Sequence, residues 1–475
     1  MKSNKIYNLS LAAAVAMAAV ACEPKLDAPT PSKGDADFSH YVALGNSLTA
    51  GYADGALYKS GQVAGYANMI ATQMKAAGGG EFKIPYIKDE NGIGSFSTTY
   101  PYGMPRLALA AKADCKGVTS LSPSPVGYPY NATQFSEYLS LNGQTGPFNN
   151  LGVPGAKSYH LGVSGYGNAA GIAVGTANPF YARFATSSTS SVIQDALAQS
   201  PTFFTLWIGN NDILGYATSG GQGNANPGMN PATYGSNDIT PTAVVKASIE
   251  GYVQALKASA KAPKGVLAGV PDVLSTPYFN TVKWNGLALT DANTVAALNT
   301  AYASLISAGI VTKFVVGNNP FIIADVSSPA GFRSIKSTEY LILTTPSDSI
   351  KCKGWGSQKP IPASYVLDAT EVSNVSTTIT SYNDAIKGLA TTYGLAYVDA
   401  YTLVKNIAVK GYTADGVTTT TTFASGGAFS LDGVHLTPRG NAIIANAFIE
   451  AINAKYGSTL SPVDAAKYNG VVFPK

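Results

Sequence analysis

Three side chains of this sequence could together perform acyl transfer: the hydroxyl of Ser47, the imidazole of His435 and the carboxylate of Asp432. A hydroxyl attacks a carbonyl only when a neighbouring base takes its proton, and a carboxylate then holds the charged imidazole. Ser47 follows a short apolar run at 41–44, within Gly45-Asn46-Ser47-Leu48. Taken alone it reads as a turn residue, since Gly, Asn and Ser all favour turns. Far downstream, Asp432-Gly433-Val434-His435 sets a carboxylate three residues before a histidine, close enough to reach its ring within one turn of chain. Gly209-Asn210-Asn211-Asp212 adds spare amide donors. The chain has 3 histidines. His40 precedes the first strand. His160 follows Gly155 by five residues and could line a pocket, yet has no acid nearby in sequence. Blander readings stand beside each motif: Pro154-Gly155 as a type II turn, Asn210 to Asp212 as a helix cap, and His435 as a satisfied core or surface histidine.

Competing chemistries lack their residues. Gly162-Val163-Ser164-Gly165-Tyr166 is not a Gly-x-Ser-x-Gly elbow, because Tyr166 occupies the last position. Gly165-Tyr166-Gly167 follows no strand, which argues against a dinucleotide loop. No His-Glu-x-x-His or Cys-x-x-Cys spacing occurs, so neither a metal nor another cofactor is indicated. Trp207 reads as core. Trp284, Trp355 and the tyrosines of the irregular stretches could stack on sugars or acyl chains, or simply pack loops.

The elements that must carry these residues alternate. Strands are expected at 41–45, 148–153, 202–208, 264–270 and 395–399. The run 202–208 is almost wholly apolar, as in a strand buried on both faces of a parallel sheet. Helices are expected at 60–77, with Val63, Tyr66, Ile70 and Met74 on one stripe, and at 190–199, 242–260, 291–308 and 377–393. A last helix runs from Thr437-Pro438 to about 456, capped by Gly457. Residues 215–240 read as loop. Two Gly-, Pro- and Tyr-rich stretches, 81–145 and 310–375, read as insertions, the second with strands at 313–316 and 340–343. Alternating strands and helices argue a three-layer α/β/α domain on a parallel five-stranded sheet. Sites in such sheets lie past the carboxyl ends of the strands. Ser47, Gly155, Asn211 and His435 all fall there or in the loop before the last helix.

Gly45-Asn46-Ser47-Leu48, Gly155, Gly209-Asn210-Asn211-Asp212 and Asp432-Gly433-Val434-His435 resemble the four sequence blocks of the SGNH/GDSL hydrolase superfamily. They come in the family's order over a core of roughly 38–457. The resemblance implies a flavodoxin-like sheet and an esterase or lipase acting on carboxylic esters without a cofactor. It implies Ser47 as nucleophile, His435 as base and Asp432 as its partner. It implies an oxyanion hole made by the N–H groups of Ser47 and Gly155 and the side-chain amide of Asn211. One position departs: the family usually carries Asp where this chain has Asn46. Asn keeps the side-chain-to-backbone hydrogen bonds of Asp and loses its charge. Within this class the substrate is a lipid or simple ester, or an acyl group on a glycan. The rival reading is a non-catalytic surface lipoprotein that binds its partner on the same scaffold.

The N-terminus suggests an address. Lys2 and Lys5 precede an alanine-rich apolar stretch too short for a membrane span. It ends in Ala19-Val20-Ala21-Cys22, which resembles a bacterial lipobox with Ala19 where leucine is usual. Residues 1–22 are therefore expected to be a lipoprotein signal lipidated at Cys22, 23–37 a proline-containing tether, and 38–475 one hydrolase domain anchored to the cell envelope. Charged residues make up 12% of the chain, about half the usual share, and the net charge is +4. No basic block calls for nucleic acid. Cys115 and Cys352 could pair in an oxidising compartment or remain two buried thiols.

Overall fold

A computed structural model describes residues 30–96, 99–127, 129–414 and 416–474. Residues 1–22 with Cys22, and 23–29 of the expected tether, lie outside the described residues. The rest of that tether is already bound to the body. Ser32 N–H donates to Thr459 Oγ1 (2.8 Å), Asp35 N–H donates to the Tyr456 carbonyl (2.8 Å), and Ala36 is buried.

Five strands build the central sheet: β1 (Tyr41–Gly45), β2 (Asn150–Gly152), β3 (Phe203–Trp207), β4 (Lys264–Ala268) and β5 (Ala396–Val398). They pair in the order β2-β1-β3-β4-β5, every pair parallel. This is the flavodoxin-like order. Side chains alternate between faces along each strand. Val42, Leu44, Phe204, Leu206 and Leu267 join one core, while Tyr41, Ala43, Phe203, Trp207 and Val266 join the other. Burial of both faces explains why β3 reads as a continuous apolar run.

Eight helices matter for the site: α1 (Ser47–Ala50), α2 (Tyr66–Ala76), α3 (Val192–Ala198), α4 (Asn211–Thr218), α5 (Thr242–Ala258), α6 (Ala369–Thr392), α7 (Ala400–Lys410) and α8 (Pro438–Tyr456). Residues of α3, α4, α5 and α6 share the core of Val42 and Leu44, and residues of α2, α7 and α8 share the core of Tyr41 and Ala43. These are the two outer layers.

Several expected boundaries move. The helix at 60–77 breaks into Lys59–Val63 and α2 around Ala64 and Gly65, and Val63 is 48% exposed. The break follows from packing against the turn that holds Ser47. Gly51 ends α1 at φ +80°, and a Cβ there would lie 2.7 Å from the Gln62 Cα. A Cβ on Gly65 would press to 3.3 Å from the Gly51 Cα, so two glycines permit this close backbone contact. The helix at 291–308 divides at Tyr302. α6 starts eight residues before the expected 377, because Asp368 and Glu371 form a capping box. The loop at 215–240 is entered through α4, and α7 was not expected at all. The strand expected at 313–316 is displaced to Gly317–Asn319, paired with Leu287–Leu289.

The irregular stretches hold structure of their own. Leu107–Ala113 and Thr119–Pro125 form a hairpin. Residues between Leu287 and Val366 gather a separate small core that includes Phe314, Phe321 and Ile323, with Trp284 and Trp355 packed against it. A disulfide between Cys115 and Cys352 staples the hairpin turn to the helix Ser347–Lys353. Asp114 and Lys351 pair beside it at 2.8 Å. No helix among the described residues is long and apolar enough to cross a membrane.

Candidate active site

β1 runs straight into Asn46, which caps α1. Its side-chain oxygen accepts the Leu48 N–H at 3.1 Å. Ser47 is therefore the first residue of a one-turn helix at the carboxyl edge of the sheet, 7% exposed. His435 arrives on the loop before α8. Its Nε2 lies 2.9 Å from Ser47 Oγ and its Nδ1 2.9 Å from Asp432 Oδ2. Hydroxyl, imidazole and carboxylate thus form one hydrogen-bonded line, and the line brings together residues 388 apart in sequence.

Asp432 is held by more than the histidine. Its Oδ1 accepts the N–H groups of Val434 (2.9 Å) and His435 (2.8 Å), and its Oδ2 accepts the N–H of Gly55 (2.8 Å). Ser430 Oγ donates to it at 3.2 Å. Burial pushes this carboxyl up, but His435 beside it and the backbone donors outweigh burial and hold it well below the ordinary carboxylate range. These contacts favour the charged form of Asp432.

Asp54 grips the same loop from the other side. Its N–H donates to Ser430 Oγ (2.9 Å), its Oδ1 accepts the Leu431 N–H (3.0 Å), and its Oδ2 accepts the Tyr58 hydroxyl (2.8 Å). Burial, opposed by the Leu431 N–H, raises its carboxyl. Tyr52 lays its ring 4.7 Å from the His435 ring. Sequence reasoning missed Tyr52, Asp54, Gly55 and Ser430.

The three expected oxyanion donors stand as follows. The N–H of Ser47 and the N–H of Gly155 have no acceptor among the described residues. Gly155 adopts φ +81° just past β2. Asn211 opens α4 after β3. One hydrogen of its Nδ2 goes to the Ala156 carbonyl at 2.9 Å, leaving the second free. Asp212, fully buried, accepts the N–H and the hydroxyl of Ser158, both at 2.7 Å, so the loop after β2 and the start of α4 are tied together. Burial raises the Asp212 carboxyl while the Ser158 donors lower it, with a net rise.

A cavity of about 40 Å³ borders Ser47, His435 and Asn211. Leu214, Pro271, Val273, Phe429 and Leu436 give it apolar walls. Gly155 is not among its lining residues. Among the described residues, neither amide atom of the buried Asn210 has a partner, nor has Nδ2 of Asn46, and both residues border this cavity. His160 is not part of it. Its Nδ1 accepts the Lys157 N–H at 3.0 Å and its ring stacks on Tyr166. Burial, helped by Lys157, lowers its pKa to about 4. Burial favours its neutral form. Trp207 is core, as expected, and its indole N–H donates to the Gly269 carbonyl.

The sequence model of the GDSL-like lipase/acylhydrolase family matches residues 41–448, most of the chain. The chain belongs to this family. It is a carboxylic ester hydrolase. No curated protein matches its sequence. Among solved structures it is similar to a protein of Parabacteroides merdae ATCC 43184 provisionally described as a GDSL-like lipase, at 11% identity over 89% of this chain and 99% of that one, with a TM-score of 0.33. It is similar to Axe2, an acetylxylan esterase from Geobacillus stearothermophilus, at 12% identity over 88% and 96%, TM-score 0.33. LAE5, an α/β hydrolase enzyme from the Lake Arreo metagenome in Spain, gives 11% identity over 88% and 97%, TM-score 0.33. These likenesses are loose, and no substrate passes to this GDSL hydrolase from them. Its Asn46 retains the capping bond that an Asp would make, so the departure from the family pattern leaves the turn at Ser47 intact.

Proposed function

We propose that the chain is an extracytoplasmic serine esterase, lipid-anchored through Cys22, that cleaves short-chain carboxylic esters with Ser47, His435 and Asp432. The observation that carries the reading is the unbroken line from Ser47 Oγ through both ring nitrogens of His435 to Asp432 Oδ2, each contact 2.9 Å. In this reading Ser47 Oγ attacks the ester carbonyl while its proton passes to His435 Nε2. Asp432 stabilises the imidazolium. The tetrahedral oxyanion takes hydrogen bonds from the N–H groups of Ser47 and Gly155 and the free hydrogen of Asn211 Nδ2, each such donor worth about 3 kcal/mol. Collapse expels the alcohol, which leaves with the proton from His435. Water then enters, gives its proton to the imidazole, attacks the acyl-enzyme and frees the acid and Ser47.

The apolar cavity beside Ser47 favours a small acyl group. At about 40 Å³ it holds roughly three water-sized volumes, one water needing about 10–15 Å³. An acetyl group matches this space better than a fatty chain. This favours acetyl esters, including O-acetyl groups on glycans, over lipids. The test is kcat/KM across aryl acetate, butyrate and octanoate. The reading expects a steep fall with chain length, and equal or rising values toward octanoate overturn the short-acyl assignment.

A further inference from the structure

A second concave feature lies outside the catalytic cavity. It is a groove of about 1230 Å³ between the hairpin turn and the second irregular stretch. That exceeds the usual size of a small-molecule pocket. Lys116 comes from the hairpin turn, Lys283 from the segment after the Pro277–Asn280 turn, and Lys353 and Lys359 from the helix Ser347–Lys353 and the loop after it. All four are exposed, and none forms an ion pair among the described residues. The single lining acid, Asp114, is already paired with Lys351. The disulfide from Cys115 to Cys352 fixes the two walls against each other.

The groove and the catalytic cavity have no lining residue in common, but one short segment of chain links them. Thr276 borders the cavity and Thr281 borders the groove, with a single helical turn between them. Within that turn the Tyr278 N–H donates to the Gly433 carbonyl (3.0 Å), two residues before His435. The Tyr278 carbonyl accepts the Leu343 N–H (2.8 Å), and Thr345, two residues further, lines the groove.

We propose that this groove binds an acidic glycan and presents its O-acyl groups to Ser47, an assignment that rests on the esterase reading. Separated ammonium groups along a long groove suit repeated negative charges better than one. A polyhydroxylated chain is also the polyanion that carries ester-linked acyl groups. The concave, two-walled shape suits a chain and not a lipid surface.

The test uses the full-length mature protein carrying Ser47→Ala, with oligogalacturonate as probe and a neutral xylo-oligosaccharide as control, by calorimetry at low ionic strength. Oligogalacturonate is expected to bind, the neutral oligosaccharide to bind at least tenfold more weakly, and added salt to weaken the acidic complex. The combined Lys283→Glu, Lys353→Glu and Lys359→Glu change is expected to lower affinity at least about tenfold. The combined Lys75→Glu and Lys455→Glu change, on helices away from the groove, should alter it less than about twofold. Absence of oligogalacturonate binding, binding unaffected by the triple reversal, or binding of anionic phospholipid vesicles in its place overturns the proposal. Aryl acetate hydrolysis separates the two readings. If it is lost in Ser47→Ala but the groove binds nothing, the groove assignment falls alone. If it survives in Ser47→Ala, the esterase reading falls whatever the groove binds.

Discussion

At the scale of single residues, the site separates what its side chains must do from what they can tolerate. In the proposed reaction Ser47, His435 and Asp432 each contribute an atom that no neighbour replaces. Asn46 contributes an acceptor for the Leu48 N–H, which Asp supplies equally well. Restoring the family's usual residue should therefore preserve folding and turnover to within a few fold. It should also place a negative charge on the residue next to Ser47, at a position 1% exposed. A nearby anion favours the imidazolium, so Asn46→Asp should move the acidic limb of the kcat/KM profile to higher pH. A limb unmoved, or moved to lower pH, contradicts this view of the cavity's electrostatics. The motif residues were legible because each block is short and local. Their partners were not. Asp54 reaches Ser430 and Leu431 across more than 370 residues of chain, and nothing in Ala53-Asp54-Gly55 announces that reach.

At the scale of elements, two loops decide how well the triad is held. The segment 52–55 clamps the 430–435 loop through Asp54 and Gly55. Asp54→Ala removes the acceptor for Leu431 and sets a Cβ with no compensating bond at φ +51°. We expect kcat to fall about tenfold, roughly 1.4 kcal/mol, with KM nearly unchanged. Asp54→Asn, which keeps the acceptor and tolerates that φ, should recover most of it. A KM effect in place of a kcat effect, or no rescue by Asn, contradicts a positioning role. The loop after β2 carries a separate pH signature. His160 has a folded pKa lowered to about 4 from the ordinary 6.5. The unfolded chain binds its proton first, so the contribution is present above pH 6.5 and is lost as pH falls toward 4. The loss is on the order of 1–3 kcal/mol. Denaturant unfolding at pH 7 and pH 4.5 should show His160→Asn with a shallower fall than the parent chain. The strands were readable to within three residues because apolar runs mark them. α2 was misread because the feature that breaks it, contact between Gly65 and Gly51, is tertiary.

At the scale of the whole molecule, the parallel sheet supplies the place and the irregular stretches supply the shape. The order β2-β1-β3-β4-β5 collects the carboxyl ends of β1, β2 and β3, which is why motifs more than a hundred residues apart converge. That convergence follows from alternating strands and helices and was legible in the sequence. The pairing of Cys115 with Cys352 was not, since it depends on where a hairpin from one stretch meets a helix of another. The bond closes a loop of 237 residues. Replacing both cysteines by serine should lower the unfolding free energy by about 2–5 kcal/mol, read as a reduced Tm that reductant reproduces in the parent chain. An unchanged Tm would mean that the insertions hold each other without the staple.

All of this turns on the hydroxyl at 47 being made nucleophilic by the imidazole at 435. The direct measurement is covalent capture by a fluorophosphonate, read by peptide mass and run alongside aryl acetate turnover. The account predicts a single adduct on Ser47 that forms as turnover is lost, a labelling rate that collapses in His435→Ala, and neither adduct nor hydrolysis in folded Ser47→Ala. Hydrolysis persisting at the parental rate in Ser47→Ala, or an adduct on another residue accompanying loss of activity, would contradict it.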